Sequence, residues 1–265
     1  MKEKILSYLP AECPWGDTLH WFDTIDSTNV YAKQLAAAGA PHRTVVLANH
    51  QTAGRGRMGR SFSSPEGMGI YLSVILRPNM PARDLMHLTC AAAVAACDAV
   101  EYASGIRPGV KWINDLVAQK RKLGGILTEL SFVPNSDGVQ YAIIGIGINC
   151  HQKTEDFPPE IRDIALSLDS LTGKTTDKFR LAAAMIHALW KMSASLFEKA
   201  EIMTAYRKDC ITLGKEVKIL HPQGEREGIA EDIDDDGCLL VRLCDGTVEA
   251  VNFGEVSIRG MYGYV

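Results

Sequence analysis

The chain contains 265 residues, of which 46% are hydrophobic and 23% are charged, and it carries a formal net charge of −4. This composition is typical of a globular protein and excludes a disordered chain, a collagen-like repeat and a coiled coil. Because acidic side chains outnumber basic ones, it also gives no overall attraction to nucleic acid or to an anionic membrane surface.

Strands and helices alternate unevenly along the first 212 residues. Apolar runs predict, in chain order, a helix over 30–38, strands over 44–49 and 69–76, a helix over 83–101, strands over 110–118, 125–132 and 139–150, and helices over 177–199 and 201–212. A regular βαβ winding would alternate the two kinds of element more strictly. The pattern therefore favours an α+β fold, in which helices cover one face of a mixed β-sheet.

A change in charge and in strand length marks a second domain. Residues 213–265 hold 5 basic and 11 acidic side chains, a net charge of −6, whereas residues 1–212 hold 23 and 21, a net charge of +2. Beyond Gly214, four brief strands alternate with turns, and the acidic run from Asp234 to Gly237 is interpreted as a hairpin turn. We therefore predict a main domain over 1–212 and a small β-barrel or sandwich over 213–265.

The seven cysteines and the N-terminal segment indicate the cellular compartment of the protein. No two cysteines form a C-x-x-C pair, which argues against a disulfide framework and a zinc knuckle, and most lie in apolar runs typical of buried thiols. The first twelve residues lack the apolar stretch of a signal peptide, and no apolar run approaches the ~20 residues of a membrane span. The sequence predicts a cytoplasmic protein.

Two phosphate-binding motifs are matched only in part. Residues 54–59 fit G-x-G-x-x-G and follow a predicted strand, but residues 60–67 do not predict the helix that should hold a pyrophosphate. Gly173-Lys174-Thr175 resembles the end of a P-loop, yet Leu168 stands where the first glycine is required. We therefore expect neither a dinucleotide fold nor a P-loop ATPase.

The segment from Gly54 to Arg60 is nevertheless chemically specific. Arg55, Arg57 and Arg60 alternate with glycines, whose small size lets the backbone approach a ligand closely. Three guanidinium groups repel one another, so we expect an open, mobile loop until a phosphate or carboxylate neutralises them. The alternative is a solvated basic loop without a ligand.

The segment 110–115 is interpreted as one continuous strand. In such a strand Lys111, Ile113 and Asp115 share one face, and Trp112 and Asn114 share the other. A lysine in an apolar strand is a candidate for binding a reacting carboxylate or phosphate, because burial without an anion is costly. The alternative is an exposed lysine that protects a sheet edge.

A second strand is bare on one side. Between Ile144 and Asn149, alternation places isoleucines on one face and Gly145, Gly147 and Asn149 on the other. Such a face leaves room for a flat ligand, with the Asn149 amide at its end. Packing of a helix against the glycines is the alternative.

Five ordered motifs resemble those of the biotin protein ligases. They are Asp26-Ser27-Thr28-Asn29, Gln51 to Arg60 (QTAGRGRMGR), Lys111 to Asp115 (KWIND), Lys122 to Leu127 (KLGGIL) and Gly145 to Asn149 (GIGIN). One departure is Ile113, where the family usually has proline. Only 26 residues precede the Ser-Thr-Asn motif, so the resemblance is to the form without an N-terminal helix-turn-helix domain.

The resemblance implies a fold, a reaction and a set of site residues. The fold would be a class II synthetase-like catalytic domain followed by an SH3-like β-barrel. The reaction would use biotin and ATP with Mg²⁺, form biotinyl-5′-adenylate and biotinylate a lysine of a biotin carboxyl carrier protein. By this resemblance, biotin would be surrounded by Ser27, Thr28, Asn29 and Gln51, and the adenylate would be covered by a loop that contains Gly54, Arg55, Gly56 and Arg57. The catalytic residues would be Lys111 and Arg57. The nucleotide would contact Arg55, Arg57, Lys111 and Asn149, and the floor of the ligand site would contain Gly125 and Gly147.

No protein ligand for the metal is assigned, and Trp112 is given a packing role only. A lipoate ligase or octanoyltransferase of the same fold, and a non-catalytic biotin sensor, are the alternatives. We expect no nucleic-acid or membrane partner, and a homodimer is left open.

Overall fold

Two β-sheets organise the part of the chain that the computed structural model describes, which comprises residues 1–13, 18–221, 224–252 and 257–260. The first sheet contains β1 (Leu19–Ile25), β2 (Thr44–Gln51), β3 (Gly69–Leu76), β4 (Gly109–Lys111), β5 (Asp115–Ala118), β6 (Arg121–Phe132) and β7 (Val139–Asn149). Its strand order is β1-β2-β3-β7-β6-β5-β4. Only the β1–β2 pair within this sheet is parallel, so the predicted mixed sheet is confirmed.

Six α-helices accompany this sheet in the described ranges. They are α1 (Lys2–Leu6), α2 (Thr28–Ala37), α3 (Leu88–Ser104), α4 (Leu168–Thr172), α5 (Lys178–Ala194) and α6 (Lys199–Asp209). Helix α3 is buried along most of its length, and its alanines let it lie close to the sheet and to α5. It ends at Gly105, whose φ of 76° suits the left-handed cap that glycine adopts without strain. None of the helices described is long and apolar enough to cross a membrane.

Helices cover both faces of the central strands, and the expectation of helices on one face is wrong. Helices α3 and α5 pack on the face that contains Val45 and Leu47, whereas α2 packs on the opposite face over Val46 and Ile75. Strand β3 is buried at every residue, so its near-continuous apolar run needs cover on two sides.

The predicted strand over 110–118 is divided into β4 and β5. These strands form an antiparallel pair in which Lys111 lies opposite Asp115, so the chain reverses at Trp112, Ile113 and Asn114. The Trp112–Ile113 peptide bond is cis. Lys111 and Asp115 still share a face, because residues directly opposite in an antiparallel pair point to the same side. Ile113 does not join them along a strand and is fully buried.

The second sheet contains β8 (Glu216–His221), β9 (Gly224–Ile233), β10 (Leu239–Leu243), β11 (Val248–Val251) and β12 (Ser257–Gly260), in the order β11-β10-β9-β8-β12. All its pairs are antiparallel, and the four predicted strands are present. The run from Asp234 to Gly237 forms the predicted hairpin turn, in which the Asp234 carboxylate accepts the backbone N–H groups of Asp236 and Cys238 at 2.9 and 2.8 Å. The predicted domain boundary, between residues 212 and 213, falls in the segment that joins the end of α6 at Asp209 to the start of β8 at Glu216.

All seven cysteines are free thiols, and five of them are buried. Burial raises the pKa of the Cys150 thiol to about 12, so this sulfur remains protonated near neutral pH. The prediction that most cysteines act as small buried hydrophobic side chains is confirmed.

Arg107 joins α3 to α6 and gives a test of the packing. Its guanidinium contacts the buried carboxylate of Asp209 through two hydrogen bonds of 2.8 and 2.6 Å. We expect Arg107→Met to lower the free energy of unfolding by about 2–3 kcal/mol, because it leaves a buried carboxylate without its partner. Urea denaturation measures the change.

The control is Arg242→Met, which removes an equally bidentate but exposed pair with Glu231. Its expected cost is below about 1 kcal/mol. Equal losses for the two variants would contradict a special role of the buried carboxylate.

Candidate active site

A cavity of about 380 Å³ opens above the central strands of the first sheet, beneath the segment 54–62. This volume lies in the range of small-molecule sites. Ten of the residues singled out in the sequence line it: Ser27, Thr28, Asn29, Gln51, Arg55, Gly56, Arg57, Lys111, Gly125 and Gly147. The fold therefore gathers side chains from three of the sequence motifs, and a glycine from each of the other two, around one space.

A hydrogen-bond network closes one end of the cavity. The Thr28 backbone N–H donates to Gln51 Oε1 at 2.8 Å, and Gln51 Nε2 donates to Ser64 Oγ at 2.8 Å. Ser73 Oγ lies 2.8 Å from Thr28 Oγ1 and 2.6 Å from Asn29 Oδ1. Because Ser73 is fully buried, its hydroxyl fixes the start of α2 against β3.

The other end of the Asn29 amide is also engaged. Asn29 Nδ2 donates to Glu129 Oε2 at 2.9 Å, and Glu129 Oε1 accepts from Lys33 Nζ at 2.5 Å. A methyl group on Gly145 would overlap the Asn29 amide, so the bare strand face is needed to seat this side chain. The expected space for a flat ligand above Gly145 is thus occupied by Asn29.

The segment 54–62 forms a hydrogen-bonded hairpin. Gly56 N–H donates to the Arg60 carbonyl at 2.7 Å, and Phe62 N–H donates to the Gly54 carbonyl at 2.9 Å. The ring of Phe62 lies on Gly147, where a Cβ would overlap it. The segment is therefore anchored at its base, in contrast to the open loop that repulsion between arginines predicts. No α-helix follows it, which confirms that the dinucleotide motif is incomplete.

Cationic groups from three segments point toward the same space. Arg57 Nη1 donates to Asn114 Oδ1 at 3.0 Å, and Lys122 Nζ lies 2.6 Å from Asp115 Oδ1. Lys111 is 8% exposed and lines the cavity together with both pairs. Burial lowers the pKa of the Arg57 guanidinium, so an anion placed beside it would offset the cost of its desolvation.

Two of the residues expected at the site lie outside the cavity walls. Gly54 lies at the hairpin base, where a Cβ would overlap the Phe62 carbonyl. Asn149 is buried, and its amide donates to the Leu166 carbonyl at 3.0 Å and accepts from Gln152 Nε2 at 3.4 Å. The structure therefore gives both residues a supporting position, and their expected contacts with a ligand stay predictions.

Two residues of the site, Ser73 and Phe62, were missed by the sequence analysis, as were two contacts between its motifs. Ser73 had a visible signal, since it is the one serine in a strand whose other residues are glycine, aliphatic residues and Tyr71. The Lys122–Asp115 pair and the Arg57–Asn114 bond join separate motifs across the fold. Phe62 gave no signal, because its partner Gly147 lies 85 residues away in sequence.

Comparisons with known proteins agree on one family. The family model "Biotin/lipoate A/B protein ligase family" matches residues 21–149, and "Biotin protein ligase C terminal domain" matches residues 212–259. The bifunctional ligase/repressor BirA of Bacillus spizizenii is 38% identical over 233 residues, which cover 87% of this chain and 71% of that protein. The biotin--[acetyl-CoA-carboxylase] ligase of Mycobacterium tuberculosis is 34% identical over 242 residues, covering 87% and 85%.

A solved structure is similar over almost its whole length. The biotin protein ligase from Aquifex aeolicus, in complex with biotin and ATP, superposes with a TM-score of 0.78 at 31% identity. The match covers 91% of this chain and 98% of that chain. It supports the α+β fold with an added β-domain.

The packing of Asn29 on Gly145 gives a test of the site. We expect Gly145→Ala to lower the free energy of unfolding by about 1–3 kcal/mol, because the new methyl group must displace a buried, hydrogen-bonded amide. The control is Gly138→Ala, directly after an exposed turn, where the nearest neighbour of the new methyl group is the Ser136 hydroxyl at 3.2 Å, the end of a short side chain that can rotate away. Thermal denaturation compares the two, and similar melting temperatures would contradict the role of the bare strand face.

Proposed function

This chain belongs to the biotin protein ligases, and we propose that it joins biotin to a lysine of a biotin carboxyl carrier protein in two steps. First, a biotin carboxylate oxygen attacks the α-phosphorus of ATP, and the bond to pyrophosphate breaks. The product is biotinyl-5′-adenylate. Second, the amine of the carrier lysine attacks the acyl carbon, AMP leaves, and an amide bond forms.

One observation carries this proposal: Lys111 and Arg57 meet at a cavity whose other end is lined by the neutral side chains of Thr28, Asn29 and Gln51, which a hydrogen-bond network holds in place. The neutral end suits the polar, uncharged ring of biotin, with Ser27, Thr28, Asn29 and Gln51 around it. The cationic end suits the carboxylate and the triphosphate, which repel each other in water. Fixed positive charges bring these anions together and stabilise the charge that develops between them.

The nucleotide is assigned to Arg55, Arg57 and Lys111, with Gly56 in the covering hairpin and Gly125 and Gly147 in the floor. Asn149 lies outside the cavity walls and is hydrogen-bonded within the fold, so its place at the nucleotide stays a prediction. Gly54 is likewise assigned to the hairpin base.

Magnesium would enter as part of MgATP. Within the described ranges, no three His, Cys, Asp or Glu side chains gather around a point that could hold a metal ion. The cavity carboxylate of Asp115 is engaged with Lys122, and Asn149 is engaged with the backbone. These residues do not form a metal centre.

The two alternatives make different predictions in one assay. A lipoate ligase would exchange pyrophosphate with ATP when lipoate replaces biotin, and a non-catalytic sensor would bind biotin without exchange. A ligase specific for biotin exchanges only with biotin. The seven free thiols agree with a reducing, cytoplasmic setting.

Removal of the Lys111 charge tests the proposed chemistry. We expect Lys111→Ala to reduce biotin-dependent ATP–pyrophosphate exchange by about 100-fold or more, because one of the charges that joins the two anions is lost. Lys208→Ala, on the exposed face of α6, is the control and should retain full exchange. Normal exchange by a folded Lys111 variant would remove this residue from the mechanism.

Binding of the anions should also hold the hairpin of residues 54–62, the arginine hairpin, in its closed form. We expect trypsin to cleave after Arg55, Arg57 and Arg60 about 10-fold more slowly when biotin and ATP are present, because cleavage needs local opening that ligand contacts oppose. Cleavage after the exposed Lys174, which does not line the cavity, is the internal control. Equal protection of both regions, or of neither, would contradict a closing hairpin.

A further inference from the structure

The turn between β4 and β5 is held by hydrogen bonds from four directions. Trp112 N–H donates to Thr212 Oγ1 at 2.9 Å, and its indole Nε1 donates to the Gly237 carbonyl at 2.9 Å. The Ile113 carbonyl accepts from Tyr206 Oη at 3.0 Å, and Asn114 Nδ2 donates to the Ile126 carbonyl at 2.9 Å. All three residues of the turn are therefore hydrogen-bonded to other parts of the fold.

One of these four hydrogen bonds is accepted by Gly237, in a turn between two strands of the second sheet. Gly237 ends the acidic turn between β9 and β10 and has a φ of 88°. A Cβ at this position would lie 3.0 Å from Cys90 Sγ and 3.8 Å from Ile113 Cδ1. The acidic turn thus packs between α3 and the β4–β5 turn. Because Gly237 has no side chain, its backbone approaches closely enough for its carbonyl to accept the hydrogen bond from the Trp112 indole.

Ion pairs hold the same acidic turn from outside. Arg207 on α6 donates to the Ile233 carbonyl at 2.7 Å through Nε and contacts Asp235 at 2.9 Å through Nη2. Lys199, at the start of α6, pairs with Asp236. The position of the acidic turn is therefore defined relative to α6, which also carries Tyr206.

The functional side chains lie on either side of Trp112. Lys111 directly precedes it and lines the cavity, and Asn114 follows two residues later and accepts a hydrogen bond from Arg57. A displacement of the Trp112 indole would move both side chains, because the turn contains only three residues. Trp112 itself is 4% exposed and is held at both of its N–H groups.

We propose that Trp112 is a positioning residue: through its hydrogen bond to the Gly237 carbonyl, the seating of the second sheet sets the position of Lys111 and Asn114 for adenylation. This inference rests on the proposed function and adds to it Trp112 and the contact through which the second sheet acts on the site. The polar network around Thr28, Asn29 and Gln51 does not include the turn. Biotin binding should therefore be insensitive to the Trp112–Gly237 bond, whereas the rate of adenylation should depend on it.

The test separates binding from rate. Trp112→Phe keeps a buried aromatic ring and removes the indole donor. We expect the kcat of biotin-dependent ATP–pyrophosphate exchange to fall about 10-fold or more, since small misplacements of reacting groups carry large rate costs. The Kd for biotin, from calorimetric titration of the full chain, should change less than twofold. Trp190→Phe, on α5 beside His187, is the matched control and should leave kcat and Kd unchanged.

A second variant tests the proposal even if Trp112→Phe does not fold. Asp235→Asn with Asp236→Asn removes two exposed partners of α6 without altering the core. We expect a smaller loss of kcat, about twofold, again with unchanged biotin Kd, because exposed ion pairs contribute little. If Trp112→Phe does not fold, an unchanged kcat in this variant overturns the proposal.

The remaining outcomes are also decisive. A folded Trp112→Phe with normal kcat overturns the positioning role, and so does a parallel loss of biotin affinity and kcat, which indicates general damage to the site. Absence of biotin-dependent exchange in the unaltered chain would overturn the proposed function itself. That result is distinguishable, because it does not depend on any substitution.

Discussion

The bare face of β7 is the constraint on which both halves of the site depend. Gly145 admits the Asn29 amide, and through it the hydrogen bonds to Ser73 and Glu129. Gly147 admits the Phe62 ring, and through it the base of the arginine hairpin. A side chain at either position would displace a group that shapes the cavity, so two missing Cβ atoms determine where the neutral end and the cationic end lie.

The cationic end gathers charged groups at the cost of their desolvation. Arg57 is half-buried beside Asn114, a neutral acceptor, and Lys111 is buried beside the same turn. Asp115 Oδ1 lies 2.6 Å from Lys122 Nζ, and both side chains line the cavity with Arg57 and Lys111. Two anionic substrates would interact favourably with these cations, and their binding would then favour the closed hairpin over an open one.

Much of this arrangement was predictable, and the exceptions share a cause. Strands β2, β3 and β6 to β11, the acidic hairpin turn and the residues of the motifs follow from local patterns, because alternation and turn chemistry are properties of neighbouring residues. Strands β1 and β12 were not predicted. The reversal at Trp112 was missed, since residues 110–118 are largely apolar and their alternation looks continuous, while the groups that hold the turn come from Tyr206, Thr212 and Gly237. Phe62 and the position of α2 were missed for the same reason: both depend on contacts between distant segments.

The difference in charge between the two parts of the chain corresponds to ion pairs between α6 and the acidic turn. Residues 1–212 carry +2 and residues 213–265 carry −6, a difference that marked a domain boundary in the sequence. In the fold, opposite charges meet where Lys199 and Arg207 of α6 face Asp235 and Asp236. Exposed pairs of this kind contribute less than about 1 kcal/mol each, so they orient the acidic turn more than they hold it. The buried Trp112–Gly237 bond and the close contact of Gly237 with Cys90 then define its final position, next to the residues that carry the proposed chemistry.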